Sequence, residues 1–264
     1  QDGPERDAFM PDGEDMGVAS DLGADDMGAD DMGADDMFMP SDMGVGCGVA
    51  DLNGGSLVAS GIEPYDVTDF TIEAWFRPDA AALTSNRNIF GRWGRNGVSG
   101  SYALYLSAGR PSLALSCDGI DTNEYTASEA ITERVWVHLA ATYQVSDERV
   151  QVFVDGDRVV DTSAPGDCVP NPLGTSADLV LGYDDPSGGD PAQGLVDEAR
   201  LSRVVQYTDN FTPERFFEDP PDGNTVALYQ FEDSGSMDTA TDSSVNENPM
   251  TVEGAAALTT ACRP

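Results

Sequence analysis

The sequence contains no lysine. All 13 of its basic residues are arginine, set against 48 Asp and Glu, for a formal charge of −35. A polyanion has no means of displacing counterions from phosphate, which excludes nucleic acid as a partner. The same charge repels an anionic membrane surface. No apolar run approaches the ~18 residues of a membrane-spanning helix, so direct membrane insertion is not expected. A single histidine, His138, leaves little material for a nucleophilic triad or a His-ligated zinc centre. The four cysteines show no CxxC spacing, which argues against a metal site and for two disulfides in an oxidising compartment. From spacing alone all three pairings stay open. The first residue is Gln1 rather than methionine, and the expectation is an exported chain whose leader has been removed.

What is present divides in two. Residues 1–43 hold fourteen acids and one arginine, Arg6, together with seven of the nine methionines. Gly-Ala-Asp-Asp-Met occurs three times in tandem, at Gly23–Met27, Gly28–Met32 and Gly33–Met37. A period of five matches neither helix nor strand, and three copies are too few for a solenoid. Composition reads as a self-repelling spacer. The regular methionines, which are adaptable apolar contact residues, read instead as an assembly arm formed by Met16, Met27, Met32, Met37, Met39 and Met43.

From Cys47 onward the texture changes to short alternating runs broken by Gly, Pro, Asp and Asn. Strands are expected near 56–60, 70–76, 88–92, 102–107, 112–116, 135–143, 149–154, 158–161, 179–182, 194–202 and 225–231. Val154-Asp-Gly-Asp157 is a hairpin turn, and Thr212-Pro-Glu214 has the N-cap and N1 residues of one short helix. Within 70–76, Phe70, Ile72, Ala74 and Phe76 alternate with Thr71, Glu73 and Trp75, so one face seeks a core. Many short strands with almost no helix define the fold class: all-β, a two-sheet antiparallel jelly-roll sandwich with an irregular acidic N-terminal arm. The domain division is an arm at 1–46 and a jelly roll at 47–264.

Six segments in order carry a family resemblance: Phe70-Thr-Ile-Glu-Ala-Trp-Phe76, Trp136-Val-His-Leu-Ala-Ala-Thr-Tyr143, Val152-Phe-Val-Asp-Gly156, Leu181-Gly-Tyr-Asp184, Gly194-Leu-Val-Asp-Glu-Ala-Arg-Leu201 and Leu228-Tyr-Gln-Phe-Glu-Asp-Ser-Gly235. Together with Asp242-Ser-Ser-Val-Asn246 they resemble the laminin-G-like, concanavalin-A-like jelly rolls of bacterial secreted proteins, over roughly 49–254. Nothing before Cys47 shares the likeness. Jelly rolls of this kind set first and last strands side by side, which favours the pairs Cys47–Cys262 and Cys117–Cys168. The resemblance also implies calcium in some members, with Asp197 as a candidate ligand beside the acidic loop Asp184, Asp185 and Asp190; hard carboxylate oxygens suit that ion. Opposed to this is a solvated acidic turn in which Asp197 pairs Arg200 or Arg203.

Catalysis is not expected. Glycoside hydrolysis needs two carboxylates flanking the cleaved bond. The Glu-x-Asp-x-x-Glu strand motif of one hydrolase group on related jelly rolls is absent, and Glu73 lacks a partner two residues away. His138 is read as a structural strand residue. For a glycan surface, a planar aromatic beside polar groups is wanted; Trp93 with Arg92, Arg95 and Asn96 is the leading set, ahead of Tyr102, Tyr105 and Tyr125. Asn210-Phe-Thr212 is a glycosylation acceptor sequence in a glycosylating host. The function expected is a secreted, non-enzymatic, extracellular adhesion or binding protein whose partner is a glycan or an extracellular protein. The alternative is a structural subunit of an extracellular filament, joined to copies of itself through the arm.

Overall fold

The computed structural model describes residues 47–61, 64–93, 100–170, 177–182, 192–217, 221–232 and 237–263. The strands are β1 Gly48–Asp51, β2 Ser56–Ala59, β3 Phe70–Pro78, β4 Arg87–Arg92, β5 Tyr102–Ser107, β6 Arg110–Leu115, β7 Asn123–Thr126 and β8 Val137–Gln144. They continue with β9 Arg149–Val154, β10 Asp157–Ser163, β11 Leu179–Leu181, β12 Gly194–Ser202, β13 Thr225–Tyr229, β14 Thr239–Ala240, β15 Met250–Glu253 and β16 Ala257–Thr260. Two short 3-10 turns, Ala80–Leu83 and Val145–Asp147, are the helical elements among the described residues. The strands form two sheets of antiparallel pairs. Sheet A runs β10-β9-β8-β3-β12-β1-β16, with β13 also on β12, and sheet B runs β14-β15-β2-β11-β4-β5-β6-β7.

The register explains the core. In sheet B one row crosses seven strands: Val252, Leu57, Leu181, Phe90, Leu104, Leu113 and Tyr125. Sheet A answers with Val152, Ala141, Ile72, Leu201 and Ala227. All twelve belong to or pack against a single apolar cluster between the sheets. Because side chains alternate, each row fixes the residues turned the other way, and these outward rows supply the candidate sites.

Both expected disulfides are formed. Cys47–Cys262 ties the start of β1 to the end of β16, and Cys117–Cys168 ties the loop after β6 to the segment after β10. Two expectations are corrected. Thr212-Pro213-Glu214 is not a helix: residues 211–217 are extended and bent, because Phe211 and Phe217 are drawn onto the sheet and Glu214 O accepts a hydrogen bond from Trp75 Nε1 (3.0 Å). And β8 begins at Val137, since Arg134 takes a left-handed conformation (φ 58°) and leaves Val135 about half exposed.

Candidate functional site

The outward face of sheet A is closed. Segment 203–217 lies across it, held by hydrogen bonds from Thr71 Oγ1 to Val204 O (2.8 Å), from Gln206 N back to Thr71 Oγ1 (2.8 Å), and from Gln151 Nε2 to Thr208 O (3.1 Å). Tyr207 stacks on Phe211 at 3.5 Å, and Phe211 meets Phe153 and His138 edge-on. Beneath this strap is a buried ionic network. Glu73 on β3 accepts from Arg200 Nε of β12 at 2.8 Å through Oε1, and from Tyr207 Oη at 3.0 Å through Oε2. His138 Nε2 of β8 lies 3.1 Å from the same Oε2. Burial alone would raise the Glu73 carboxyl, but the His138 hydrogen bond and the Arg200 charge hold it below the usual glutamate range. The chain's only histidine and its nearest strand carboxylate are thus locked together with no exposed surface. The partners Glu73 lacked along its own strand stand on the two strands beside it.

The outward face of sheet B differs. Register places Thr251, Val58, Val180, Gly91, Ala103, Ala114 and Glu124 in one row. A parallel row holds Asn88, Tyr105, Ser112 and Thr126. The half-buried Trp93 packs on Ala103, Tyr105 and Ala114. Ser112 Oγ and Thr126 Oγ1 are hydrogen-bonded (2.9 Å), while Tyr105 Oη points toward Glu124, Thr126 and Ser112 without closing a hydrogen bond. Burial, reinforced by the Glu124 carboxylate, raises that phenol. Asn88 Oδ1 is likewise buried without a partner. An aromatic plate beside polar atoms that lack partners is an arrangement suited to a hydroxyl-rich ligand.

The sequence-derived ligand set is therefore divided. Trp93 is on this face. Arg92 is not: it shares an inward-facing register position with Tyr102, is fully buried, donates from Nε to Ala177 O (3.1 Å) and pairs with Asp66. Tyr102 is core, its hydroxyl donating to Tyr65 O (2.8 Å), and Tyr125 packs against the core. Arg95 and Asn96 lie outside the described residues, as do Met16, Met27, Met32, Met37, Met39 and Met43. Asn210 is engaged on both sides of its amide, with Arg158 N and Asp157.

Of the calcium candidates, Asp184, Asp185 and Asp190 lie outside the described residues. Asp197 is described and buried, and the neighbour it pairs is neither Arg200 nor Arg203 but Arg263, whose Nε is 3.7 Å from Oδ2. It is grouped with Glu198 and Glu232, with one oxygen of each within 4.8 Å of the others. Burial pushes Asp197 up to about 6 against the pull of Arg263, and burial with the Asp197 charge pushes Glu198 up to about 8. Sequence reading missed Glu198 and Glu232, because successive strand residues point to opposite faces. A bulge between Asp197 and Ala199, with Glu198 at φ 54°, brings the adjacent carboxylates together.

A separate cleft of about 260 Å³ beside β8–β10 is lined by aliphatic residues such as Val135, Val137 and Val159 together with Ser128, Glu129, Thr132 and Asp155. It holds no aromatic side chain to serve as a plate for a sugar ring.

Fold and faces define a two-sheet jelly roll of the lectin type. Residues 52–206 match the model of the concanavalin A-like lectin/glucanases superfamily, and the chain belongs to that family. A search of the curated proteins finds no match. Among solved structures, a "putative carbohydrate binding protein" of Bacteroides ovatus is similar at TM-score 0.65 and 16% identity, over 83% of this chain and 61% of that one. This chain thus spans under two thirds of that relative's length. The CBM40 of a Ruminococcus gnavus IT-sialidase, bound to α2,3-sialyllactose, aligns at TM-score 0.49 and 13% identity, over 60% of this chain and 91% of that one.

Proposed function

We propose that this protein is an extracellular, non-enzymatic carbohydrate-binding jelly roll that receives its glycan on the outward face of sheet B. The observation carrying the reading is Trp93 packed over Tyr105, with the buried Tyr105 Oη and Asn88 Oδ1 left without partners nearby. Stacking of a sugar ring on an indole buries apolar C–H surface, and sugar hydroxyls both donate and accept, which suits an aromatic plate set among polar side chains. Family membership supports the reading, since the superfamily's own description joins lectins with glucanases. Binding rather than hydrolysis is favoured because His138 and Glu73 are sealed under the 203–217 strap. Two disulfides support an oxidising location, and no helix among the described residues is long and apolar enough to cross a membrane.

Glycan-array screening of the full chain, followed by calorimetry on the best hit, tests this. Trp93→Ala is expected to weaken binding by about 10-fold or more, the scale of one aromatic hot spot, with thermal stability nearly unchanged. Tyr105→Phe should weaken it by a smaller factor. Unchanged affinity in Trp93→Ala would place the ligand elsewhere.

A further inference from the structure

The outward face of sheet B carries one charged residue in the two rows that cross β4–β7. The first row, Gly91, Ala103 and Ala114, is built of small residues until it reaches Glu124 on β7. The second, Asn88, Tyr105, Ser112 and Thr126, is polar and uncharged. Most of these side chains are buried. Glu124 is exposed and Thr126 half-buried, and with the half-buried Trp93 packed on the rows they are what this part of the face offers to solvent. No ion pair engages Glu124 among the described residues. Arg110, the cation further along β6, donates to Ser107 O (3.3 Å) instead.

Indole and carboxylate are close neighbours. Trp93 packs on Ala114, the register partner of Glu124, and residues paired in this way have Cα atoms about 5 Å apart. Tyr105 marks the direction of the carboxylate: Trp93 packs on its ring and Glu124 acts on its hydroxyl, so the acid leans over the face rather than away from it. Gly100 fixes the plate from behind, since a Cβ there would come within 2.3 Å of the Trp93 ring carbons and displace the indole. A sugar ring stacked on Trp93 therefore presents its edge to the Glu124 carboxylate.

From this geometry, and resting on the reading of sheet B as the glycan face, we propose that the ligand is an amino sugar whose ammonium group pairs with Glu124 while its ring stacks on Trp93. A protonated amine beside a carboxylate makes a charge-assisted hydrogen bond, roughly twice as strong as a neutral one. An ammonium within about 6 Å of an indole face also gains from the ring quadrupole. A hydroxyl or acetamido group in the same place gains neither. Sialic and uronic acids would set a second carboxylate against Glu124 on a chain of formal charge −35, which disfavours acidic glycans. A bare alkylamine satisfies the charge but brings no hydroxyls for Thr126 and no ring for the plate.

Calorimetry of the full chain tests it, with short glucosamine oligomers, their N-acetylated counterparts and glucose oligomers of equal length, at a mildly acidic pH that keeps the amine protonated. The acidic arm attracts any polycation, so each comparison is between the wild type and a variant carrying the same arm. The amino form is expected to bind about 3- to 30-fold tighter than either neutral form, the range of one partly exposed ionic contact beside an aromatic ring. That preference should shrink as salt rises. Glu124→Gln, at an exposed position on the edge strand β7, should erase the preference and leave both the affinity for neutral oligomers and the melting temperature unchanged. Trp93→Ala should weaken all three ligands together. No binding of the amino oligomer, equal binding of the amino and N-acetylated forms, or a preference that survives Glu124→Gln would overturn the amine assignment. The sheet B reading fails separately, if neutral and amino oligomers bind and Trp93→Ala leaves every affinity intact. Butylamine bound as tightly as the glucosamine oligomer would overturn the sugar in favour of a bare amine.

Discussion

Replacing Arg200 with methionine is the sharpest test of what holds the outward face of sheet A. The substitution keeps an unbranched apolar side chain but removes the guanidinium that sits 4.2 Å from the Phe217 ring, with it both donors to Glu73 Oε1 and the hydrogen bond to Tyr207 Oη. Glu73 is then left at 0% exposure with only His138 and Tyr207 on its other oxygen. Breaking one side of a buried ion pair costs roughly 3–5 kcal/mol. For a domain of this size, each kcal/mol lowers the melting temperature by about 2–4 °C, so a fall of about 6–20 °C is expected. Glu73→Gln alone should cost less, and the double variant Glu73→Gln with Arg200→Met should recover at least about 1 kcal/mol relative to the sum. The pH dependence has a fixed sign. The folded Glu73 carboxyl lies below the usual glutamate range, so its stabilisation is complete above that range and is lost as pH falls through the lower folded value. The stability gap between wild type and Glu73→Gln should therefore narrow toward acid. Urea unfolding of all four proteins across a pH series measures both effects. Strict additivity, or a gap that does not change with pH, would refute the coupled network.

Two further outcomes follow from the loops. Cys47→Ser with Cys262→Ser opens a link 215 residues long and should cost about 5 kcal/mol on the chain-entropy model, against about 4 for Cys117–Cys168 at 51 residues, as read by denaturant midpoints. Asp242→Ala removes the acceptor for Leu228 N, Ser244 N, Ser244 Oγ and Asn248 N, and should cost at least about 3 kcal/mol, whereas Asp242→Asn keeps part of that set.

The strands were legible where alternation is strong. Arg149–Val154 and Gly194–Ser202 coincide with expectation because their inward sets are continuously apolar. Strands β1, β7, β14, β15 and β16 carry few large apolar residues, and long-range partners rather than local pattern make them strands. The false helix at Thr212 shows the same balance in reverse: correct cap chemistry lost to burial of Phe211 and Phe217. Trp93 was legible as an isolated aromatic in a turn, but the inward direction of Arg92 depends on a bulge between Asn88 and Phe90 that shifts the register. An alternating pattern does not reveal an inserted residue.

That limit bears directly on function, because the chemistry of this jelly roll collects where its ladders are interrupted. Glu73 meets Arg200 across a pair that is in register only after the bulge at Glu198, and the same bulge turns Glu198 toward Asp197. One irregularity in β12 thus sets the buried ion pair under the strap in register and brings the carboxylates of Asp197, Glu198 and Glu232 together. Deletion of Glu198 would remove the inserted residue and leave Asp197 two positions from Arg200, still on the same face of a regular strand. It should therefore keep the Glu73 network while losing the acidic cluster, whereas Arg200→Met should lose the first and keep the second. Loss of the Glu73 network in the deletion variant, measured by the acid limb of the unfolding series, would show that the ion pair needs the bulge itself.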